Sequence, residues 1–113
     1  MKIAVIGSRS LSVADLGLYL PEGTTEIISG GAKGVDASAR EYAKSRAVPL
    51  TELFPDYRRY GKAAPVRRNI EILERADKVL AFWDGKSRGT KFVIDECVKR
   101  GIPIRIIKIN SPS

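Results

Sequence analysis

Ser29-Gly30-Gly31-Ala32-Lys33-Gly34-Val35-Asp36 follows the apolar run Glu26-Ile27-Ile28 and precedes a segment of helical periodicity. Three glycines in five positions let the backbone turn sharply with no Cβ in the way. They also let backbone N–H groups converge on one small space, where an incoming helix N-terminus adds partial positive charge. Lys33 sets a full charge beside those amides. A strand, a glycine-rich turn with a lysine and then a helix is one way to hold phosphate or another small anion. The stretch matches neither GxxxxGK[ST] nor GxGxxG. The plainer reading is a tight strand-to-helix turn with a solvated lysine.

Working outward, the chain alternates between the two periodicities. Upstream, residues 2–6 form a near-continuous apolar run, as expected of a strand buried on both faces, and end at Gly7-Ser8-Arg9-Ser10. Ser12 and Asp15 make a capping-box-like pair with Leu11 and Leu16 as a staple, and Val13, Leu16 and Leu20 predict a first helix closed by Pro21. Residues 24–28 read as the second strand. Downstream, Val35, Ala39, Tyr42 and Ala43 share a stripe of the second helix. Residues 49–54 read as the third strand, followed by a polar, aromatic loop over 55–61. Pro65 suits a first helical position, with Val66, Ile70 and Leu73 on the buried face of the third helix. Arg67 to Glu71 and Glu71 to Arg75 are spaced for surface ion pairs.

The fourth strand, residues 78–83, runs into a second glycine-rich turn, Asp84-Gly85-Lys86-Ser87-Arg88-Gly89-Thr90, which again opens a helix. Val93, Ile94, Cys97 and Val98 give that helix its apolar side, and Gly101 stops it. Residues 104–109 form the last strand, and the tail 110–113 reads as frayed. Five strands alternating with four helices predict a three-layer α/β domain with a parallel sheet, one domain over residues 1–113. Right-handed crossovers favour strand order 3-2-1-4-5 or 2-1-3-4-5. The first is preferred. It makes strand one central and places Gly7–Ser10 and Gly85–Thr90 along the crevice between strands one and four, where open α/β sheets bind ligands.

Composition narrows the chemistry. No apolar run approaches the roughly 20 residues of a membrane span and no signal-peptide pattern opens the chain, so a cytoplasmic protein without membrane contact is expected. The single cysteine, Cys97, fits a reducing setting and reads as buried filler. Histidine is absent, which removes the commonest general base and metal ligand, so no metal site is expected. Glutamine is absent too, a faint thermophilic signature. Residues 1–56 carry net charge −1 and residues 57–113 net +8. Arg58, Arg59, Lys62, Arg67 and Arg68 fall within eleven residues that contain no acid. Such a block is ordinarily a solvated face, and it also suits an anionic ligand or nucleic acid.

Taken together, Gly7-Ser8-Arg9, residues 29–36, Arg68-Asn69 and Phe82-Trp83 with the turn 84–90 resemble the SLOG superfamily. This Rossmann-like group includes Lonely-Guy-type phosphoribohydrolases and DprA-type proteins, and the small stand-alone YspA-like branch is the nearest in appearance. The resemblance spans nearly the whole chain in order. It implies a nucleotide-derived ligand at the carboxyl ends of the strands. Gly30, Gly31 and Gly34 would let the backbone approach a phosphate, with Gly31 the position where a β-branched residue blocks that approach. Gly89 and Thr90 would offer amides and a hydroxyl, Ser8 and Arg9 would contact sugar or phosphate, and Arg68 would pair with an anionic group. Gly7, Ser29, Lys33, Asn69, Asp84, Gly85 and Ser87 complete the implied ligand-binding set. Asp36 reads as a helix cap or a ribose contact, and Trp83 as packing or a stacking surface.

The chain departs from the hydrolases at one place. Their GTxxE pattern carries the glutamate that assists N-glycosidic cleavage, whereas Gly89-Thr90-Lys91-Phe92-Val93 puts valine there. Asp95 and Glu96 are rotated roughly 200° and 300° away around the helix. Asp36, Asp84 and Glu96 are then the remaining acid–base groups near the site. The expectation is therefore a ligand-binding sensor or partner module with no catalytic residue and no cofactor. The alternatives are a nucleotide N-glycosidase and single-stranded nucleic-acid binding, with nucleic acid a secondary partner. A homodimer stays open.

Overall fold

The computed structural model describes residues 1–109, so the tail 110–113 lies outside the described residues. Five strands, β1 (Lys2–Gly7), β2 (Glu26–Ser29), β3 (Leu50–Glu52), β4 (Lys78–Trp83) and β5 (Ile104–Lys108), form one sheet. Its order is β3-β2-β1-β4-β5 and every pairing is parallel. Helices α1 (Val35–Arg46), α3 (Ala64–Arg75) and α4 (Arg88–Arg100) are full-length, whereas α2 (Tyr57–Tyr60) is a single turn. This is the expected Rossmann-like α/β arrangement. Among the described residues no helix is long and apolar enough to cross a membrane.

The period-2 alternation of side chains in β1 splits the core into two layers. Ile3 and Val5 join Leu11, Leu16, Val35, Ala39 and Ala43 on the α1 side. Ala4 and Ile6 join Ile72, Leu73, Val93 and Cys97 on the side covered by α3 and α4. Both sets are buried, as a central parallel strand requires.

The crossover from β1 to β2 is not the expected helix. Apart from a 3-10 turn at Leu16–Leu18 it is irregular, and Asp15 makes no side-chain cap. Its backbone is held by a local turn and a tertiary contact instead: Leu11 N–H donates to Ser8 O, three residues back, and Val13 N–H to Ser38 Oγ of α1. Leu11 and Leu16 are both buried, so the expected apolar contact survives while the i to i−4 ladder does not. Gly17 in the middle costs a helix about 1 kcal/mol.

Smaller differences have similar causes. The loop after β3 contains α2, capped by Asp56, whose carboxylate accepts from Arg59 N–H. Val66 and Val98 are exposed, because the buried faces run through Ala64, Ile72 and Leu73 in α3 and through Val93, Ile94 and Cys97 in α4. Arg75 pairs with Glu71, but Arg67 lies over the Tyr60 ring instead.

Candidate functional site

A cavity of about 430 Å³ opens at the carboxyl ends of the strands. It collects four segments far apart in sequence. Gly7 ends β1 and Ser8 and Arg9 come from the loop after it, and Gly30 and Asp36 from the turn before α1 and from its first turn. Arg68 and Asn69 come from the start of α3, and Asp84, Ser87, Gly89 and Thr90 from the turn into α4. Ser29, Gly31, Lys33, Gly34 and Gly85 are not in its wall. Ser10, placed along the crevice from sequence, and Ala32, inside the 29–36 turn, also line it, whereas the sequence marks Pro65 only as a helix start, Ile6 only as part of a buried strand, and does not single out Ile72. Ser10 lies in the loop after β1 and Ala32 inside the 29–36 turn, so their signal was position rather than residue type.

The glycines outside the wall shape it from behind. Gly34 has φ +74°, and a Cβ there would come within 2.5–2.7 Å of the Arg9 backbone. Its role is to let α1 begin directly against the β1 loop. Gly31 has φ +69° and lies against Phe54, whose ring a Cβ would meet at 2.3 Å. Gly31→Val therefore tests the Phe54 contact, not access to the cavity. Lys33 is exposed, in keeping with a solvated lysine.

Gly30 is the close-approach position. A Cβ there would lie 2.7 Å from Arg68 Nη1 and 3.1 Å from Asp36 Oδ2. Arg68 donates from Nη1 to Gly30 O at 2.7 Å, and from Nε to Asn69 Oδ1 at 2.9 Å. Its Nη2 has no hydrogen-bond partner among the described residues. Burial lowers the Arg68 pKa and the nearby Asp36 opposes that shift. An arginine so placed stays cationic at neutral pH.

Asp36 is buried in the first turn of α1, and its carboxylate accepts Ala32 N–H at 3.1 Å. One amide that the glycine turn was expected to offer an anion is thus taken by the protein's own carboxylate. Burial pushes the Asp36 pKa up. The Ala32 N–H, Arg68, the Ser29 hydroxyl and Arg40 pull the other way without cancelling it. Ser29 Oγ influences that carboxyl but makes no hydrogen bond of ordinary geometry.

Asp84 is used differently. Its Oδ1 accepts from Lys86 N–H and Ser87 N–H, both at 2.8 Å, and its Oδ2 accepts from Ser10 Oγ at 3.2 Å. These bonds, the two backbone amides first, hold its pKa at about 2. Ser8 Oγ accepts Asp84 N–H, so the loops after β1 and β4 are tied across the crevice. Ser87 caps α4 by accepting Thr90 N–H, and Trp83 Nε1 braces Ser87 O at 3.1 Å. Trp83 is thus a loop brace and is absent from the cavity wall. The amides of Arg88 and Gly89 have no partner among the described residues.

Because the folded-state pKa of Asp84 is depressed, its contribution is present above the ordinary carboxylate value of 3.8 and fades towards about 2. In acid titrations followed by circular dichroism, Asp84→Ala should flatten the loss of stability in that window. An unchanged profile would mean that the turn does not depend on the charged carboxylate.

Among the described residues no group of three His, Cys, Asp or Glu side chains is placed to hold a metal ion. The acids on the wall are the two aspartates. Glu96 pairs with Arg100, and Val93 is fully buried in the core.

No family model matches the chain, and no solved structure matches it. The Gene 61 protein of Mycobacterium phage D29 is 37% identical over 84 residues, an alignment covering 69% of this chain and 67% of the phage protein. At that identity and coverage, the chain belongs to the family of the mycobacteriophage D29 Gene 61 protein.

Proposed function

We propose that the cavity binds a nucleotide or nucleotide-derived ligand through its phosphate, without hydrolysing it, as a sensor or partner module of the SLOG type. One observation carries this reading: Arg68, fixed by Gly30 O and Asn69, shares a cavity wall with the amino end of α4, whose first two amides have no partner among the described residues. A helix amino end and a fixed guanidinium are complementary to a phosphate. Ser8 and Arg9 border the same space and suit contact with the sugar or phosphate. The residues present are poorly disposed for glycosidic cleavage: Asp84 is held ionised by its turn, and the GTxxE position is filled by the buried Val93. A thermal-shift series with nucleoside mono- and diphosphates, ADP-ribose and dinucleotides tests the reading. At a hundredfold excess over Kd a true ligand adds about 2.7 kcal/mol of apparent stability. No shift with any of them, or efficient release of free base, would overturn it.

A second reading has its own observation. Arg58, Arg59 and Lys62 lie on α2 and the turn after it, and none of them is ion-paired among the described residues. Phe54 and Tyr57 are exposed alongside, a setting that suits single-stranded nucleic acid. Tyr60 is less available, since Arg59 and Arg67 both lie over its ring, 5.2 and 5.3 Å from the centroid. Binding to a single strand should be weak at physiological salt, with log K falling against log salt by about 0.7 per phosphate contact. Replacing Arg58, Arg59 and Lys62 with Ser should flatten that slope and leave nucleotide binding unchanged. Tight, salt-resistant binding lost with the trio would make nucleic acid the primary partner.

A further inference from the structure

We infer that Asp36 accepts a proton when an oxyanion enters the cavity, so that the site binds its anion together with one proton. The inference rests on the reading that this cavity is an anion site. Its basis is geometric. Asp36 lines the cavity yet is only 8% exposed, and among the described residues it forms no ion pair. Arg68 Nη1 and Asp36 Oδ2 lie 2.7 and 3.1 Å from the point where a Gly30 Cβ would stand, and the guanidinium bonds to Gly30 O rather than to the carboxylate.

The other charged groups around Asp36 do not replace that missing partner. Arg40, on the same helix, is committed to Glu52 Oε2 at 3.0 Å and to Gly31 O at 3.2 Å. Arg9, on the β1 loop, is exposed. Asp84, in the same wall, adds further negative charge. After the Ala32 N–H, Arg68 gives the Asp36 carboxylate its largest support, ahead of Arg40, and an anion on Arg68 competes for that support while adding charge of the wrong sign.

A second observation bears on the protonated state. Ser29 Oγ is fully buried, has no hydrogen-bond partner among the described residues, and lies close enough to influence the Asp36 carboxyl. A hydroxyl can donate to a carboxylate or accept from a carboxylic acid. The Ser29 hydroxyl can thus turn to serve either state of Asp36. The neutral acid turns a repulsive wall group into an O–H donor facing the bound oxyanion or Ser29. Asp84, with a pKa of about 2, keeps its charge throughout and is not the proton acceptor.

The sign follows from linkage. The bound anion raises the Asp36 pKa above its value in the free protein, so affinity rises as pH falls between the two. One full proton per anion corresponds to a tenfold gain in affinity per pH unit. The test is calorimetry on the whole protein with inorganic sulfate, which does not itself titrate there, between about pH 4.5 and 6.5, above the ordinary carboxylate range. Each pH is run in two buffers of different ionisation enthalpy, which counts protons. The wild type should take up a substantial fraction of one proton per sulfate, with affinity climbing towards acid. Asp36→Asn keeps an acceptor for Ala32 N–H, and should bind sulfate with no proton uptake and a flat pH profile. Sulfate binding without proton uptake in the wild type, or uptake that persists in a folded Asp36→Asn, overturns the inference alone. No binding of sulfate or of any nucleotide overturns the anion-site reading, and this inference with it.

Discussion

Replacing Arg68 with methionine should weaken nucleotide binding by about a hundredfold, or about 2.7 kcal/mol. Methionine keeps an apolar stem of similar reach and removes the guanidinium that Asn69 and Gly30 O hold in place. Hydrogen bonds to a charged group contribute about 1.5–3 kcal/mol each, so the loss of one or two to a phosphate accounts for the effect. The substitution also leaves Gly30 O without its donor, at a stability cost of about 1–3 kcal/mol. Thermal unfolding of the free variant separates that cost from the loss of binding. Arg68→Lys should recover charge but not the fixed fork, and so only part of the affinity. Calorimetric titration reads both variants, and wild-type affinity in a folded Arg68→Met would remove Arg68 from the site.

The largest effect on stability is expected from Val93→Glu, which writes the hydrolase pattern GTxxE into the chain. Val93 is fully buried among Ala4, Ile6, Ile72 and Cys97, on the α4 face turned to the sheet. A glutamate there has no partner in that layer. An uncompensated buried charge destabilises by about 3–5 kcal/mol, enough to threaten a domain of marginal stability. The expected outcome in urea titration is a large fall in midpoint and no release of free base from nucleoside monophosphates. A stable variant that hydrolyses them would show that the position faces the site and that the chain is one substitution from an enzyme.

Strand order and the meeting of four distant segments were legible because both follow from apolar runs, glycine turns and crossover rules. Residues 2–6 and 78–83 are apolar on both faces, and only the middle of a parallel sheet hides both. What sequence could not show was which partner each polar group would choose. The spacing of Ser12, Asp15, Leu16 and Leu20 suits a helix, yet Ser38 of α1 takes the Val13 N–H and the loop lies flat on the core. The turn at 30–34 offers amides in any reading, but only the fold brings Asp36 back onto Ala32 N–H and Phe54 over Gly31. Arg68 stood out in sequence as one of five cations. Its separation from Arg58, Arg59 and Lys62 comes from the turn of α3 that points it at Gly30 O.

The most direct test of the anion-site claim is a ¹⁵N–¹H correlation spectrum of the protein titrated with adenosine monophosphate. The site described here predicts saturable shifts at the amides of Ser8, Arg9, Gly30, Gly89 and Thr90 and at Arg68 Nε, with the α2 amides of Tyr57–Tyr60 nearly still. Unmoved resonances around the cavity at saturating nucleotide, or shifts confined to α2, would contradict it.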